Sequence, residues 1–379
     1  METLIENKLI NILEPFGVTY VKIPEKESLY KIYELFTKDV IFEPTTPLEH
    51  LYLGLYYKNY KTDYKSMKKH YKIALDQGDS SAMNNLGCYY NNIQRNRVKM
   101  EKYHLMGIEH GDEYSMTNLG LYYSDVEYNY GLMEKYLGMA IEKGHTKAMC
   151  YLAKHYYTHR NFEKMKTYYL MAIDKKCTTA MLALGQYYEQ CENNIDLAKK
   201  YYLMMVELGN SDGMLKMARL HAKTKEYNEM KQFYVSASDH GNKTAMFELA
   251  NHYECVEHNI VEMKKYLMMA IKNGDNISLG YLADYYLYKE DNPVEAFNLY
   301  MLHPNVYHTR IKNIIKDKPD FLLHILLEHN RFKDALQQLR VDIEDLKCRP
   351  DGEVFEDCRE RWNSMVGTEP TPVEYVDHR

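Results

Sequence analysis

Three features that mark common classes of protein are missing from this sequence of 379 residues. No stretch of about 18 apolar residues occurs, so no segment is expected to span a membrane. The N-terminal residues METLIENKLINIL contain acids and only a short apolar run, which does not fit a signal peptide. No two cysteines form a CxxC motif, so the usual spacing of a zinc site is also missing.

The seven cysteines follow no regular pattern. Their number is odd, and they are Cys88, Cys150, Cys177, Cys191, Cys255, Cys348 and Cys358. A secreted disulfide framework would normally show an even, regularly spaced set. We therefore interpret them as reduced thiols and expect a cytoplasmic protein. Cys348 and Cys358 have no neighbouring residues that complete a zinc ligand set.

Excess positive charge is missing as well. The net charge is −6, and the acidic segment 349–379 carries four of these charges. The rest of the chain is nearly neutral, which gives no electrostatic basis for binding nucleic acid or an anionic membrane. The charge therefore argues against nucleic acid as a partner, and we expect no membrane association.

Catalytic motifs are also absent: the sequence contains no GxGxxG, GxxxxGK[ST], GxSxG or HExxH. His155 and His159 are one helical turn apart, but no glutamate completes a metalloprotease motif. His155, His221 and His252 occupy places where related segments carry tyrosine, which favours a packing role. We predict no catalytic residue, no cofactor and no metal site.

What the sequence does contain is a nine-residue pattern that occurs eight times. AMNNLGCYY occupies 82–90, and SMTNLGLYY occupies 115–123. The other copies begin at Glu49, Ala148, Ala180, Gly213, Ala245 and Ser278, at spacings of 32 or 33 residues. A fixed period of this length indicates a repeat array.

Each copy is followed by a second amphipathic segment, such as KMEKYHLMGIEHGD at 99–112. Its apolar residues recur at i, i+3, i+4 and i+7, which predicts a helix. We call the nine-residue pattern helix A and the second segment helix B. A glycine closes most copies of helix B, where a left-handed residue is needed (Gly78, Gly111, Gly144, Gly209, Gly241 and Gly274). In the remaining complete copy, Cys177 is interpreted as standing at the glycine position.

Helix A carries a Leu-Gly or Leu-Ala pair in seven copies and Met-Ala in the eighth. Glycine inside a helix costs about 1 kcal/mol relative to alanine, so its recurrence needs a reason. The simplest reason is that helices A and B cross closely at this point. Because one hairpin cannot bury its apolar faces alone, stacked copies predict an all-α fold, a right-handed α-solenoid of about eight helix-turn-helix repeats with helical caps.

These residues resemble the Sel-one-like repeat (SLR) family, relatives of the tetratricopeptide repeat. In helix A the SLR pattern A-x-x-x-L-G-x-x-Y is matched by Ala180, Leu184, Gly185 and Tyr188. The family's pattern for helix B is matched, with bulkier Met and Val, by Ala198, Tyr201, Tyr202, Met205, Val206 and Gly209. The loop between the helices is about three residues shorter than the family's and lacks its glycines. The Tyr-, Met- and Asn-rich composition is similar to that of SLR proteins of large DNA viruses, which would place the chain in the host cytoplasm.

The repeats are predicted to span 46–303. Residues 1–45 are expected to form an N-terminal helical cap, and residues 304–348 a C-terminal helical cap with helices near 307–316, 319–329 and 332–346. The segment 349–379 is polar and acidic and is expected to be a partly disordered tail.

A candidate binding groove follows from the repeat class, in which helix A lines the concave face. Two positions of helix A are expected to point there, and they vary between copies while the packing positions repeat. The candidate groove residues are Asn84, Cys88, Thr117, Lys154, Gln186, Arg219, Phe247, Asn251 and Asp284. The alternative interpretation of this variation is drift at tolerant surface positions.

We therefore expect a non-enzymatic scaffold or adaptor that binds a protein or peptide partner in the groove. Two alternatives stay open. One is an RNA-binding helical-repeat protein. The other is an SLR-type hydrolase, although the paired repeat cysteines of the SLR proteins tied to hydrolysis are absent.

Overall fold

The computed structural model describes residues 2–13 and 26–317, and all the regular structure in those ranges is α-helical. The helices are α1 Glu2–Leu13, α2 Lys26–Lys38, α3 Pro47–Asn59, α4 Tyr64–Asp76, α5 Ser80–Asn92, α6 Arg97–Glu109, α7 Glu113–Asp125, α8 Tyr130–Glu142, α9 Thr146–Thr158, α10 Phe162–Asp174, α11 Thr178–Gln190, α12 Ile195–Glu207, α13 Ser211–Lys223, α14 Tyr227–Asp239, α15 Lys243–Cys255, α16 Ile260–Lys272, α17 Asn276–Tyr288, α18 Pro293–Tyr300 and α19 Pro304–Asp317. None of these helices has both the length and the apolar character needed to cross a lipid bilayer.

The chain divides into two compact units, Met1–Asn193 and Asn194–Arg379. In the first unit, helices A and B pack as the hairpins α3/α4, α5/α6, α7/α8 and α9/α10, and α11 packs on α10. In the second unit, α12 packs on α13, and the hairpins are α13/α14, α15/α16 and α17/α18. The all-α fold of paired repeat helices predicted from the 32- to 33-residue period is confirmed in both units.

The turn from helix B to the next helix A also matches the prediction. All six glycines named above have φ between +71° and +85°. At Gly78 the turn is a Schellman motif, because the Asp79 N–H donates to the Ala74 carbonyl at 2.9 Å. The Asp79 carboxylate then accepts from the Ala82 N–H and begins α5.

The placement of Cys177 at the glycine position was wrong by one residue. Lys176 takes the left-handed conformation there, with φ +59°. Cys177 is instead the N-cap residue of α11, where most repeats carry Asp or Asn. Lys176 lies eleven residues after Met165, just as Gly78 lies eleven residues after Met67. The spacing within helix B therefore places Lys176, and not Cys177, at the glycine position.

Replacing Lys176 by glycine is expected to raise the free energy of unfolding by about 1 kcal/mol, because a side chain with a left-handed backbone is strained. Urea unfolding followed by circular dichroism measures this. The matched control is Lys175→Gly, whose φ of −91° suits any residue and which should lower stability slightly. Equal shifts in the two variants would contradict this assignment of strain.

The loops from helix A to helix B contain a feature that was not predicted. Each of the eight loops has a non-glycine residue with φ between +47° and +60° (Thr62, Arg95, Tyr128, Arg160, Asn193, Lys225, His258 and Asp291). The following residue begins helix B, and its side chain accepts an N-cap hydrogen bond in seven of the eight loops (Asp63, Asn96, Asn129, Asn161, Asn194, Asn259 and Asn292). The recurring Asp or Asn at this point is the signal that could have located the turn.

The close crossing of helices A and B is confirmed. A Cβ atom added to Gly54 would lie 2.3 Å from the ring of Tyr71, and one added to Gly87 would lie 2.6 Å from the ring of His104. At Gly120 the added atom would lie 2.9 Å from Leu137. Since real Cβ atoms do not approach other atoms this closely, glycine here sets the distance between the two helices.

Methionine and tyrosine fill the space around this crossing. The methionines that open helix B are at most 2% exposed (Met67, Met100, Met133, Met165, Met230 and Met263). Burying each contributes about 1.5–3 kcal/mol. Tyr123 of α7 stacks on Tyr136 of α8 with ring centroids 5.7 Å apart, and its hydroxyl donates to Glu101. The ring of Tyr123 therefore packs between the helices while its hydroxyl reaches a polar partner.

The two ends of the array are partly described. α1 packs on α2 and α2 on α3, and the Ser28 hydroxyl of α2 donates to the buried Glu49 carboxylate of α3 at 2.8 Å. α19 packs on α18 and covers the helix predicted near 307–316, with a kink at Tyr307. The helices predicted at 319–329 and 332–346, and the acidic tail, lie outside the described residues.

Candidate protein-binding surface

The candidate groove residues of the first unit lie on consecutive A helices, α5, α7, α9 and α11. Asn118 of α7 donates to Asn84 of α5 at 2.8 Å and to the Cys88 sulfur at 3.3 Å. Consecutive A helices therefore lie side by side and share polar contacts on one face. Burial raises the pKa of Cys88 to about 11, so this thiol is neutral at physiological pH.

Further along the same unit, the candidates differ in exposure. Thr117 is 4% exposed, and its hydroxyl lies 2.8 Å from Nδ1 of His145, the N-cap residue of α9. Lys154 is exposed, and Gln186 is partly exposed. Tyr151, beside Lys154 on the helical surface, is 42% exposed and was not among the predicted residues. The sequence feature that could have identified Tyr151 is its position directly before the Leu of the Leu-Ala pair.

We define the A face as Asn84, Cys88, Asn118, Tyr151, Lys154 and Gln186. Residues three or four apart on a helix share a side. Asn84 and Cys88 therefore lie on one side of α5, and Tyr151 and Lys154 lie on one side of α9. Five of its six members are uncharged. Amide side chains both donate and accept hydrogen bonds, and an exposed tyrosine offers a flat apolar surface with a polar tip. Such a surface can bind a peptide main chain and bury an apolar side chain.

In the second unit, three of the four candidates contact a neighbouring helix, although their side chains stay partly exposed. Arg219 of α13 forms an ion pair with Glu248 of α15, and its Nε lies 3.0 Å from Oε2. Phe247 of α15 packs edge-on against Tyr281 of α17, with centroids 5.6 Å apart. The remaining two candidates are Asp284, which pairs with Arg310 of α19, and Asn251, which is partly exposed.

These contacts give a third account of the variation between repeats. Asn84 with Asn118, Thr117 with His145, Arg219 with Glu248, and Phe247 with Tyr281 are each a specific pair between neighbouring A helices. Each pair has its own chemistry, which is a reason for these positions to differ between repeats. Tyr151, Lys154 and Gln186 of the first unit, which are exposed or partly exposed, take no part in these four pairs.

The histidines behave as packing residues. His221 stacks on Phe233 with centroids 5.4 Å apart, and His252 packs against Tyr227. His155 and His159 lie against each other and against Tyr130. Within residues 2–13 and 26–317, no three His, Cys, Asp or Glu side chains are grouped closely enough to hold a metal ion.

Comparison with known proteins assigns this chain to no family. Neither a family model nor a curated protein matches the sequence. Among solved structures, the chain is similar to c5321, a protective antigen of uropathogenic Escherichia coli displaying an SLR fold (16% identity, TM-score 0.43, covering 100% of this chain and 82% of that one). It is also similar to a Sel1 repeat protein from Oxalobacter formigenes (22%, 0.41, covering 58% and 96%) and to yeast Tom70 (13%, 0.44, covering 89% and 82%). At these identities and TM-scores, the likeness carries no conclusion about binding or activity.

Proposed function

We propose that this protein is a non-enzymatic interaction scaffold of the SLR type, whose A face binds an extended segment of a partner protein. The observation that carries the proposal is the contact of Asn118 with Asn84 and Cys88. It aligns consecutive A helices so that polar, mostly neutral side chains continue from one repeat to the next.

The spacing of packed helices suits an extended ligand. Neighbouring helices lie about 8–10 Å apart, and an extended chain advances about 3.3 Å per residue. Each repeat would therefore meet about three residues of a bound peptide. The amides of Asn118 and Gln186 would bond its main chain, while Tyr151 would cover an apolar side chain. Lys154 gives a preference for a peptide with an acidic residue.

The test begins with a phage-displayed library of linear peptides, selected on the full chain and measured by fluorescence anisotropy. The triple variant Tyr151→Ala, Lys154→Ala, Gln186→Ala is expected to weaken binding of selected peptides at least tenfold, or by about 1.4 kcal/mol. The matched control changes three residues of B helices that are also at the surface: Lys72→Ala, Leu170→Ala and Gln232→Ala. It should bind as the wild type does.

Equal affinity in the two triple variants, or no selected peptide at all, would overturn the proposal. Mass spectrometry of the incubated peptides shows whether they stay intact, as a scaffold requires. A labelled single-stranded RNA serves as the comparison ligand in the same assay. Binding of RNA that the A-face variant weakens, with no peptide bound, would favour an RNA-binding function instead.

A further inference from the structure

Two cysteines meet between consecutive A helices of the first unit. Cys150 lies in α9, and Cys177 is the N-cap residue of α11. Their sulfur atoms are 3.7 Å apart, although the residues are 27 positions apart in the chain. Both side chains are partly buried. Since a disulfide bond is about 2.05 Å long, the two thiols are in contact and need only a small approach to form one.

The two positions that Cys150 and Cys177 occupy are also in contact in the preceding repeat. One repeat earlier, the same two positions hold Thr117 and His145, which are joined by a hydrogen bond. Among the A helices α3, α5, α7, α9, α11, α13, α15 and α17, only α9 and α11 lack a side-chain N-cap hydrogen bond. Cys177 therefore does not cap α11 with a side-chain oxygen, as Asp and Asn do in other repeats, and its sulfur faces Cys150.

The surroundings make the two sulfurs differ in acidity. The Cys150 thiol donates toward Cys177 and lowers the pKa of Cys177 to about 6, and the N–H groups of Ala180 and Thr179 add to this effect against desolvation. The same hydrogen bond and burial raise the pKa of Cys150. Cys177 is therefore the more acidic sulfur of the pair and the one that more readily forms the nucleophilic thiolate, with Cys150 as the neighbouring thiol.

We propose that Cys150 and Cys177 are a redox-active pair that a hydroperoxide converts into a disulfide linking α9 to the start of α11. The Cys177 thiolate attacks the terminal peroxide oxygen, the O–O bond breaks, and Cys177 becomes a sulfenic acid while an alkoxide leaves, or hydroxide when the oxidant is hydrogen peroxide. The Cys150 thiol then attacks the Cys177 sulfur, and water leaves as the S–S bond forms. The two sulfurs lose two electrons in total and the peroxide gains them. In a reducing compartment a thiol reductant reverses the bond.

The test uses the full chain, reduced and desalted, then treated with one equivalent of hydrogen peroxide at neutral pH. Remaining thiols are blocked under denaturing conditions, and the digest is analysed by mass spectrometry. A peptide linking Cys150 to Cys177 is expected as the dominant disulfide, and dithiothreitol should return both thiols. Contact between the two sulfurs gives them a high effective concentration, so this product should exceed any other disulfide about tenfold.

The variants use residues that already occupy the same positions in other repeats, so they are expected to fold. Cys150→Thr copies Thr117 and should leave Cys177 as a sulfenic acid that dimedone traps. Cys177→Asn copies the caps Asn210 and Asn242 and should abolish disulfide formation at Cys150. Cys255→Ser, at an exposed cysteine, should behave as the wild type. Recovery of both blocked thiols after peroxide, or no gain of trapped sulfenic acid in Cys150→Thr, would overturn the proposal.

Discussion

Replacing Gly54 by valine is expected to lower the free energy of unfolding by about 3 kcal/mol. A Cβ atom at this position would lie 2.3 Å from the Tyr71 ring, which is fully buried in α4. A rigid aromatic ring in a packed core cannot move aside without disturbing its own neighbours. The hairpin must therefore open, or its helices must shift along each other.

The matched control is the same substitution at Gly138 in α8. A Cβ atom there has no neighbour within 4 Å, and valine is a better helix former than glycine. Gly138→Val should therefore raise stability by about 0.5 kcal/mol. Urea unfolding of the full chain, followed by circular dichroism, compares the two variants. Shifts of the same sign and size would contradict the steric account of the Leu-Gly pair.

Acidification is expected to destabilise the α5/α6 hairpin through His104. This side chain is 2% exposed and lies against Gly87, and burial lowers its pKa to about 4. Its Nδ1 atom has no hydrogen-bond partner. The unfolded chain takes up a proton at this histidine near pH 6.5, whereas the folded chain does so only near pH 4. Stability is therefore complete above about pH 6.5 and falls by about 3 kcal/mol as the pH drops to 4.

His104→Leu tests this sign and size. Leucine should fit, because Leu137 occupies the same place opposite Gly120 in the next hairpin. The free energy of unfolding of the variant minus that of the wild type should be about 2 kcal/mol larger at pH 5 than at pH 7.5. His110→Gln, at the exposed C-cap of α6, serves as the control and should follow the wild-type pH curve. Parallel curves for His104→Leu and the wild type would contradict this account.

The parts of the fold that could be predicted are those that each repeat encodes locally. The glycine after helix B and the Asp79-type cap depend on residues a few positions apart in the chain, and the Leu-Gly crossing depends on the two helices of one hairpin. The left-handed residues of the A-to-B loops could not be predicted by type, because Thr62, Arg95 and Tyr128 have no preference for that conformation. The short loop imposes it, and the Asp or Asn that follows is the clearer signal.

The candidate surface was harder to predict, since it depends on contacts between repeats. Arg219 and Glu248 are 29 residues apart, and Thr117 and His145 are 28 apart. These separations differ from the 32- to 33-residue period. The two partners therefore occupy different positions within their repeats, and aligning the repeats does not reveal that they are in contact. The same reason explains why the Cys150–Cys177 contact was missed. Only the packing of one A helix on the next brings these residues together.

Site-specific photocross-linking tests the central claim most directly, which is that the A face is where a partner protein binds. A photoreactive phenylalanine analogue replaces Tyr151 of the A face in one variant and Leu170, on the exposed side of α10, in another. A selected peptide should cross-link from position 151, and excess unlabelled peptide should suppress the product, with little product from position 170. Cross-linking from position 170 and none from position 151 would contradict the claim.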